Sequence, residues 1–264
     1  MVLEIPGISI VITVKNEGNN IKLLLGTLSK QRMPFEVVIV DSMSNDGTES
    51  VVETYSGNLD LNYIRKECSR GQGRNIGVGA SKYPYIVFTD GDTEWSEATL
   101  SHYYRLFEAG NDLIAGEVIP KGRKSFFLDR VKLVYEGFEV TSPSANLGIT
   151  KKIFSKIHGF DEDFVTAEDI DLNIRAIQNG AVHSYCKKCV VYNKVRENLG
   201  GFARQAFWNG YGRYQLKKKH KSIWNDIEKE KGIHNYSFYN IVRLSSASAG
   251  YIYSKLMDGK RPRM

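Results

Sequence analysis

The chain has 264 residues, 42% of them hydrophobic and 25% charged, an ordinary globular composition that excludes a fibrous or disordered protein and permits one substantial core. Its 36 lysines and arginines against 30 acids give a net charge of +6, a mild excess that suits phosphates or an acidic membrane surface and implies no nucleic acid. Three cysteines argue against a disulfide framework and fit a reducing compartment. With no basic, apolar leader at 1–5 and no uncharged apolar run of about 18 residues, the chain is expected to be cytoplasmic or peripheral on the cytoplasmic face of a membrane.

The first half alternates strand and helix signals. Ile8–Val14 is a β-branched run of the kind that forms a strand buried on both faces. Ile21, Leu24, Leu25 and Leu28 recur at helical spacing, with Asn19 or Asn20 as the expected cap. A second buried strand is predicted over Glu36–Val40, ending at Asp41. A loop follows to Gly47, then a helix carrying Val51, Val52 and Tyr55. Leu61–Arg65 reads as a third strand, Gly71–Ala80 as a glycine-rich helix entry, and Tyr85–Thr89 as a buried strand ending at Asp90. This order predicts an α/β fold with a mostly parallel central sheet and helices on both faces. Ligands of such sheets bind at the carboxyl ends of the strands, where Asp41 and Asp90 fall.

Beyond Asn111 the pattern loosens. Asp112–Val118 predicts a strand, Lys121–Lys132 a basic irregular stretch containing Phe126 and Phe127, and Thr166–Gln178 a helix stopped by Gly180. Ala181–Tyr192 carries strand signals, and the last fifty or so residues are basic and aromatic. We expect a single catalytic domain over 1–215, with a nucleotide-binding half over about 1–110 and an acceptor half over about 111–215, followed by a helical tail over 216–264.

Asp90-Gly91-Asp92 places two carboxylates on either side of a glycine. Hard oxygen ligands of this kind suit Mg²⁺ or Mn²⁺ shared with substrate phosphates, and a nucleoside diphosphate leaving group needs that neutralisation. The simpler reading is an Asp-Gly turn. Asp41 is suited to accept hydrogen bonds from a base or ribose, or is a turn residue ahead of Ser44–Thr48. In the segment Arg70–Gly77 the glycines would let backbone approach a nucleotide, with Arg70 and Arg74 answering its oxygens; its position after the third strand argues against a dinucleotide fingerprint. Thr166 and Asp169 approximate a capping box, and Asp171 and Arg175 an i, i+4 pair. A carboxylate in that first turn is also held ionised by the helix dipole, as a general base requires. His183, Cys186 and Cys189 lack the second ligand pair a zinc site needs, so buried free cysteines are expected.

Together these segments resemble the inverting family 2 glycosyltransferases of GT-A fold. The matching pieces are Ser9–Glu17, Glu36–Thr48, Gly71–Gly77, Tyr85–Asp92 and Ala167–Asp169, and the resemblance covers about residues 8 to 215. It implies that Thr13, Glu17 and Asp41 face the base and ribose, with Arg74 in the same pocket. Asp90 would reach the ribose and the metal region, Asp92 would hold Mn²⁺ or Mg²⁺, and Asp169, with Glu168 beside it, would deprotonate the acceptor hydroxyl. The implied partners are a nucleotide-sugar donor, a UDP-sugar by expectation, and a glycan or lipid-linked acceptor. The chain departs from the pattern at Asp41-Ser42, where consecutive acids are common, and at Tyr192-Asn193, where many members carry a histidine. Arg204–Tyr214 only loosely echoes the Gln-Arg-Trp element of processive members; Gln205, Trp208 and Arg213 either contact acceptor or diphosphate or pack a helix.

In the tail, Lys217, Lys218, Lys219 and Lys221 precede Trp224, and Phe238, Ile241, Val242, Ile252 and Leu256 follow at helical spacing. Such a segment could contact a membrane peripherally, pack on the catalytic domain, or form a homodimer contact. Two other functions share parts of this pattern. A sugar-nucleotide pyrophosphorylase needs a glycine-rich basic loop directly after the first strand, where Val14–Glu17 stands instead. A non-catalytic nucleotide-sugar-binding protein has no need to keep Asp90, Asp92 and Asp169 together.

Overall fold

A computed structural model describes residues 6–123, 131–195, 198–230 and 238–260; Phe126 and Phe127 lie outside them. The chain divides into two units, one of Met1–Ile119, Ser142–Phe160 and Arg175–Asn193, the other of Pro120–Thr141, Asp161–Ile174 and Lys194–Met264.

The elements in order are β1 (Ile8–Val14), α1 (Gly18–Leu28), β2 (Phe35–Asp41), α2 (Thr48–Glu53), β3 (Leu61–Arg65), α3 (Arg70–Ala80), β4 (Tyr85–Asp90), β5 (Thr93–Trp95), α4 (Thr99–Glu108) and β6 (Leu113–Lys121). There follow β7 (Lys132–Tyr135), β8 (Phe138–Glu139), β9 (Asn146–Thr150), α5 (Lys151–Lys156), α6 (Glu168–Gln178), β10 (His183–Lys194), α7 (Leu199–Lys219), β11 (Glu228–Glu230) and α8 (Phe238–Leu256).

The first unit is built on an eight-stranded sheet in the order β3-β2-β1-β4-β9-β6-β10-β5. The β3, β2, β1 and β4 strands run parallel, and β9 joins β4 antiparallel. Parallel strands joined by helical crossovers are covered on both faces, which is why β1 and β2 read as continuous β-branched runs rather than alternating ones. The apolar stripe of α1, Ile21, Leu24, Leu25 and Leu28, is fully buried in the same core as Ile10, Ile12, Val37 and Ile39. Helix α1 starts at Gly18, with Glu17 at its N-cap; Asn20, one of the two expected caps, instead donates its side-chain amide to the Glu17 carboxylate at 2.6 Å.

Helix α3 carries a full capping box. Ser69 accepts from the Gln72 N–H while the Gln72 side chain accepts from the Ser69 N–H, which satisfies two of the orphan donors of the first turn. Two of its glycines, Gly73 and Gly77, serve packing. A Cβ at Gly77 would lie 2.4 Å from Cγ1 of Val11, and one at Gly73 2.8 Å from Cγ2 of Thr13. Only a residue without a side chain lets the helix sit this close to β1.

Cys186 and Cys189 form a disulfide within β10, contrary to the expectation of free thiols. Their Cα atoms are 5.3 Å apart, inside the range a disulfide spans, a proximity that the odd cysteine count could not reveal. Cys68 remains a free thiol.

The second unit contains the three-stranded sheet β11-β7-β8 and the pair α7 and α8. Helix α6 begins at Glu168, two residues later than expected, because Ala167 has a left-handed φ of 64°. A helix cannot continue through such a residue.

Candidate active site

The parallel register aligns the expected nucleotide-site residues. Thr13 on β1 lies opposite Val40 on β2 and Asp90 on β4, and Val14 lies opposite Asp41. Thr13 and Asp90 therefore stand at one level and Asp41 one residue beyond it, on three adjacent strands, at the carboxyl edge of the sheet. This edge is where an open α/β sheet binds ligands.

Asp41 is fully buried. Its Oδ1 accepts from the Ser44 N–H at 2.7 Å and its Oδ2 from the Tyr63 hydroxyl. The first bond is that of a turn residue, and each oxygen retains a second lone pair for an incoming donor. Burial, and then the bond to Asp41, raise the Tyr63 hydroxyl above its usual range, so it remains a donor at any working pH. Glu17, half-buried, stands near Gly91: a Cβ there would approach Glu17 Cβ and Cγ at 3.5 Å. The loop after β2 is tied to this edge. Asp46 accepts from the Gly18 N–H at 3.0 Å and the Thr48 N–H at 3.1 Å, and the Thr48 hydroxyl accepts from the Glu17 N–H at 3.2 Å. The Thr48 hydroxyl bond, then that from Gly18, hold the Asp46 carboxyl below its ordinary value.

Arg70 and Arg74 part company. Arg70 is exposed in the first turn of α3. Arg74 is buried; its Nη2 donates to Asp90 Oδ1 at 2.9 Å, and its guanidinium lies 5.3 Å from the centroid of the Phe160 ring. Its charge fixes one oxygen of Asp90. Asp90 and Asp92 are both half-buried, on either side of the buried Gly91.

Among the described residues no three His, Cys, Asp or Glu side chains converge as a complete metal cage. The donor set nevertheless fits Mg²⁺ or Mn²⁺, which take one or two protein carboxylates and complete their shell with water and substrate phosphates. A cleft of about 450 Å³ elsewhere on this unit, lined by Asn75, Lys151, Phe154 and His158 among others, takes in none of these residues.

In the second unit, Asp169 is half-buried and Glu168 buried in the first turn of α6. The last turns of α7 hold this turn in place. Gln215 accepts from the Val165 N–H at 3.4 Å and donates to the Asp163 carbonyl at 3.1 Å. Gly212 is so close that a Cβ would meet the Thr166 carbonyl oxygen at 2.7 Å. Asp171, fully buried, is bound by His220 Nε2 at 2.8 Å and Lys219 Nζ at 2.7 Å. Tyr63, Gln215 and His220 carry no signal in the sequence that marks them as partners of these acids and of the α6 turn. His220 acts across 49 residues of sequence, and no local periodicity marks such a partner. Trp208 stacks edge-on against Phe207 and Tyr211, which is helix packing, and burial lowers the pKa of Arg213.

The family model described as Glycosyl transferase family 2 matches residues 9–168. The chain belongs to this family. The match takes in Thr13, Glu17, Asp41, Arg70, Arg74, Asp90, Asp92 and Glu168 and stops one residue short of Asp169.

Similar curated proteins are named glycosyltransferases. Glycosyltransferase AglE of Haloferax volcanii is 24% identical over 82% of this chain and 76% of its own length. The poly-beta-1,6-N-acetyl-D-glucosamine synthase of Staphylococcus epidermidis is 22% identical over 95% of this chain. The chain spans 63% of that synthase and 46% of a pre-mycofactocin glycosyltransferase of Mycobacterium tuberculosis. Among solved structures, the mannosyltransferase PcManGT from Pyrobaculum calidifontis, in complex with GDP-Man and Mn²⁺, superposes with a TM-score of 0.67 at 17% identity, covering 96% of this chain and 76% of that one. Staphylococcus aureus TarS 1-349 in complex with UDP-GlcNAc superposes with a TM-score of 0.64 at 18% identity, covering 95% and 74%. The fold of this glycosyltransferase is GT-A.

Proposed function

We propose that this glycosyltransferase transfers a sugar from a UDP-sugar to an acceptor hydroxyl on a glycan or lipid-linked molecule, with inversion at the anomeric carbon and a divalent cation. The observation that carries this reading is the register of Thr13, Asp41 and Asp90 along one sheet edge, with Asp92 just beyond and Arg74 bonded to Asp90. The UDP-GlcNAc complex of TarS supports the UDP-sugar, and the GDP-Man and Mn²⁺ complex of PcManGT supports a nucleotide-sugar donor with a divalent cation.

Thr13, Glu17 and Asp41 would receive the base and ribose, and Arg70 the phosphates. Asp92, with the remaining oxygen of Asp90, would hold Mn²⁺ or Mg²⁺, which when bound supplies charge neutralisation to the departing diphosphate. Arg74, bonded to Asp90 Oδ1, holds that carboxylate in place. Asp169 takes the proton of the acceptor hydroxyl as its oxygen bonds the anomeric carbon and the bond from that carbon to the diphosphate breaks. The base must act on the sugar face opposite the leaving group, which explains why it comes from a separate segment. Glu168 stands beside it in the same turn.

The test is a thermal-shift screen of UDP, GDP and TDP and their sugars, with and without Mn²⁺. Binding to the folded state raises its stability by mass action. We expect UDP and a UDP-sugar to raise the melting temperature, more so with Mn²⁺. A response to another nucleotide alone would correct the donor, and no response to any would refute the reading.

A further inference from the structure

Helix α8 is buried on its small residues and exposed on its large ones. Gly250 and Ser254 are buried, and a Cβ at Gly250 would lie 1.9 Å from the Phe207 carbonyl oxygen, as one at Gly210 would from that of Ala247. The two helices cross backbone to backbone through these glycines. They run in the same direction, since Phe202 stacks on Tyr239 near their starts and Lys218 pairs with Asp258 at their ends. Phe238, Ile241, Leu244, Ile252 and Leu256 are left 52% to 79% exposed, and their spacing places them along one helical stripe. This inverts the usual arrangement, in which large apolar side chains face the partner helix.

The sequence that carries this stripe is one-sided in charge. Residues 216–264 contain eleven Lys and Arg against four Asp and Glu, a net +7, while residues 1–215 sum to −1. Lys218 and Lys219 are engaged with Asp258, Asp161 and Asp171. Lys217, Lys221, Lys255 and Lys260 are exposed, grouped by the Lys218–Asp258 pair at the end of the helices where Leu256 projects.

We infer that the exposed stripe of α8 docks on an anionic lipid surface, its apolar side chains at the headgroup boundary and the lysines on lipid phosphates. Long lysine stems reach sideways to headgroups while apolar neighbours insert. Among the described residues no helix is long and apolar enough to cross a membrane, so α8 lies along the surface. Pairing with a second copy through the same stripe would bring two +7 tails together, an arrangement like-charge repulsion opposes. None of the residues assigned to donor or acceptor lies on α8, so the inference stands apart from the catalytic reading.

The test is co-sedimentation of the full chain with vesicles of phosphatidylcholine plus phosphatidylglycerol, and with phosphatidylcholine alone, for wild type and Ile252→Ser/Leu256→Ser. Both positions are exposed, so circular dichroism and melting temperature should match wild type. We expect binding to the anionic vesicles, much weaker binding to phosphatidylcholine, and about tenfold or greater loss in the double variant. Absence of binding to anionic vesicles, or equal binding by variant and wild type, overturns the proposal. So does a wild-type dimer in analytical ultracentrifugation that the variant converts to monomer, which would assign the stripe to a second copy.

Discussion

Replacing Gly77 by alanine should destabilise the protein although alanine is the better helix former. The propensity term favours alanine by about 1 kcal/mol in a helix interior. Against it, the new Cβ would stand 2.4 Å from Cγ1 of Val11. Val11 is fully buried in β1, in register with Val38 and Phe88, and its branched Cβ restricts its rotamers, so α3 must move outward by roughly 1 Å to regain ordinary contact. Overpacking of this kind costs about 1–3 kcal/mol. With the clash at the upper end of that range, the net loss is about 1–2 kcal/mol, a fall of about 3–6 °C in melting temperature for a chain of this size. Gly79 in the same helix is the control. A Cβ there meets nothing within 4 Å, so Gly79→Ala should raise the melting temperature by about 1–3 °C. Thermal denaturation followed by circular dichroism reads both. Because α3 carries Arg74, Gly77→Ala should also weaken UDP binding while Gly79→Ala leaves it intact. If the two variants shift in the same direction, the contact of α3 with β1 is not what excludes a side chain at 77.

Three further outcomes follow from the same geometry. Asp169→Asn should lower turnover by about 10²- to 10⁴-fold, the usual worth of a general base, with nucleotide affinity measured by calorimetry unchanged; a rate within a few-fold of wild type would remove Asp169 from the mechanism. Arg74→Met should cost about 1–2 kcal/mol in urea denaturation. This is less than for a fully buried pair, because the Asp90 side chain is 35% exposed and can rehydrate; it should also weaken nucleotide binding by loosening Asp90. Asp46→Asn tests a pH dependence: a carboxylate with a depressed folded-state pKa adds stability above its unfolded value of about 3.9 and loses it as pH falls through the folded one. Urea midpoints measured from neutral pH down to about pH 3 should therefore fall less steeply in the variant, and parallel curves would dismiss the Asp46 bonds as the cause.

The positioning of the α6 turn connects packing to chemistry. Gly212, Gln215, Lys219 and His220 all come from the end of α7 or the residue after it, and they grip both flanks of Glu168 and Asp169. A turn containing a left-handed alanine is strained and holds its shape only when its surroundings fix it, so the proposal that Asp169 is the base rests on this packing.

The sequence by itself determined what depends on local periodicity. The β-branched runs of β1, β2 and β4, the i, i+3, i+4 stripe of α1, and the acids at strand ends follow from neighbouring residues, and so did the family resemblance. Only the tertiary structure decided what depends on partners distant in the chain. It set Gly73 and Gly77 of α3 against Thr13 and Val11, and placed Arg74 in the interior, bonded to Asp90. It also gave Asp41 a partner in Tyr63 and Asp171 one in His220, joined Cys186 to Cys189, and faced the large side chains of α8 outward. The physical reason is common to all of them: a side chain's spacing shows which residues share a face, while the identity of what meets that face is set by chain segments tens of residues away.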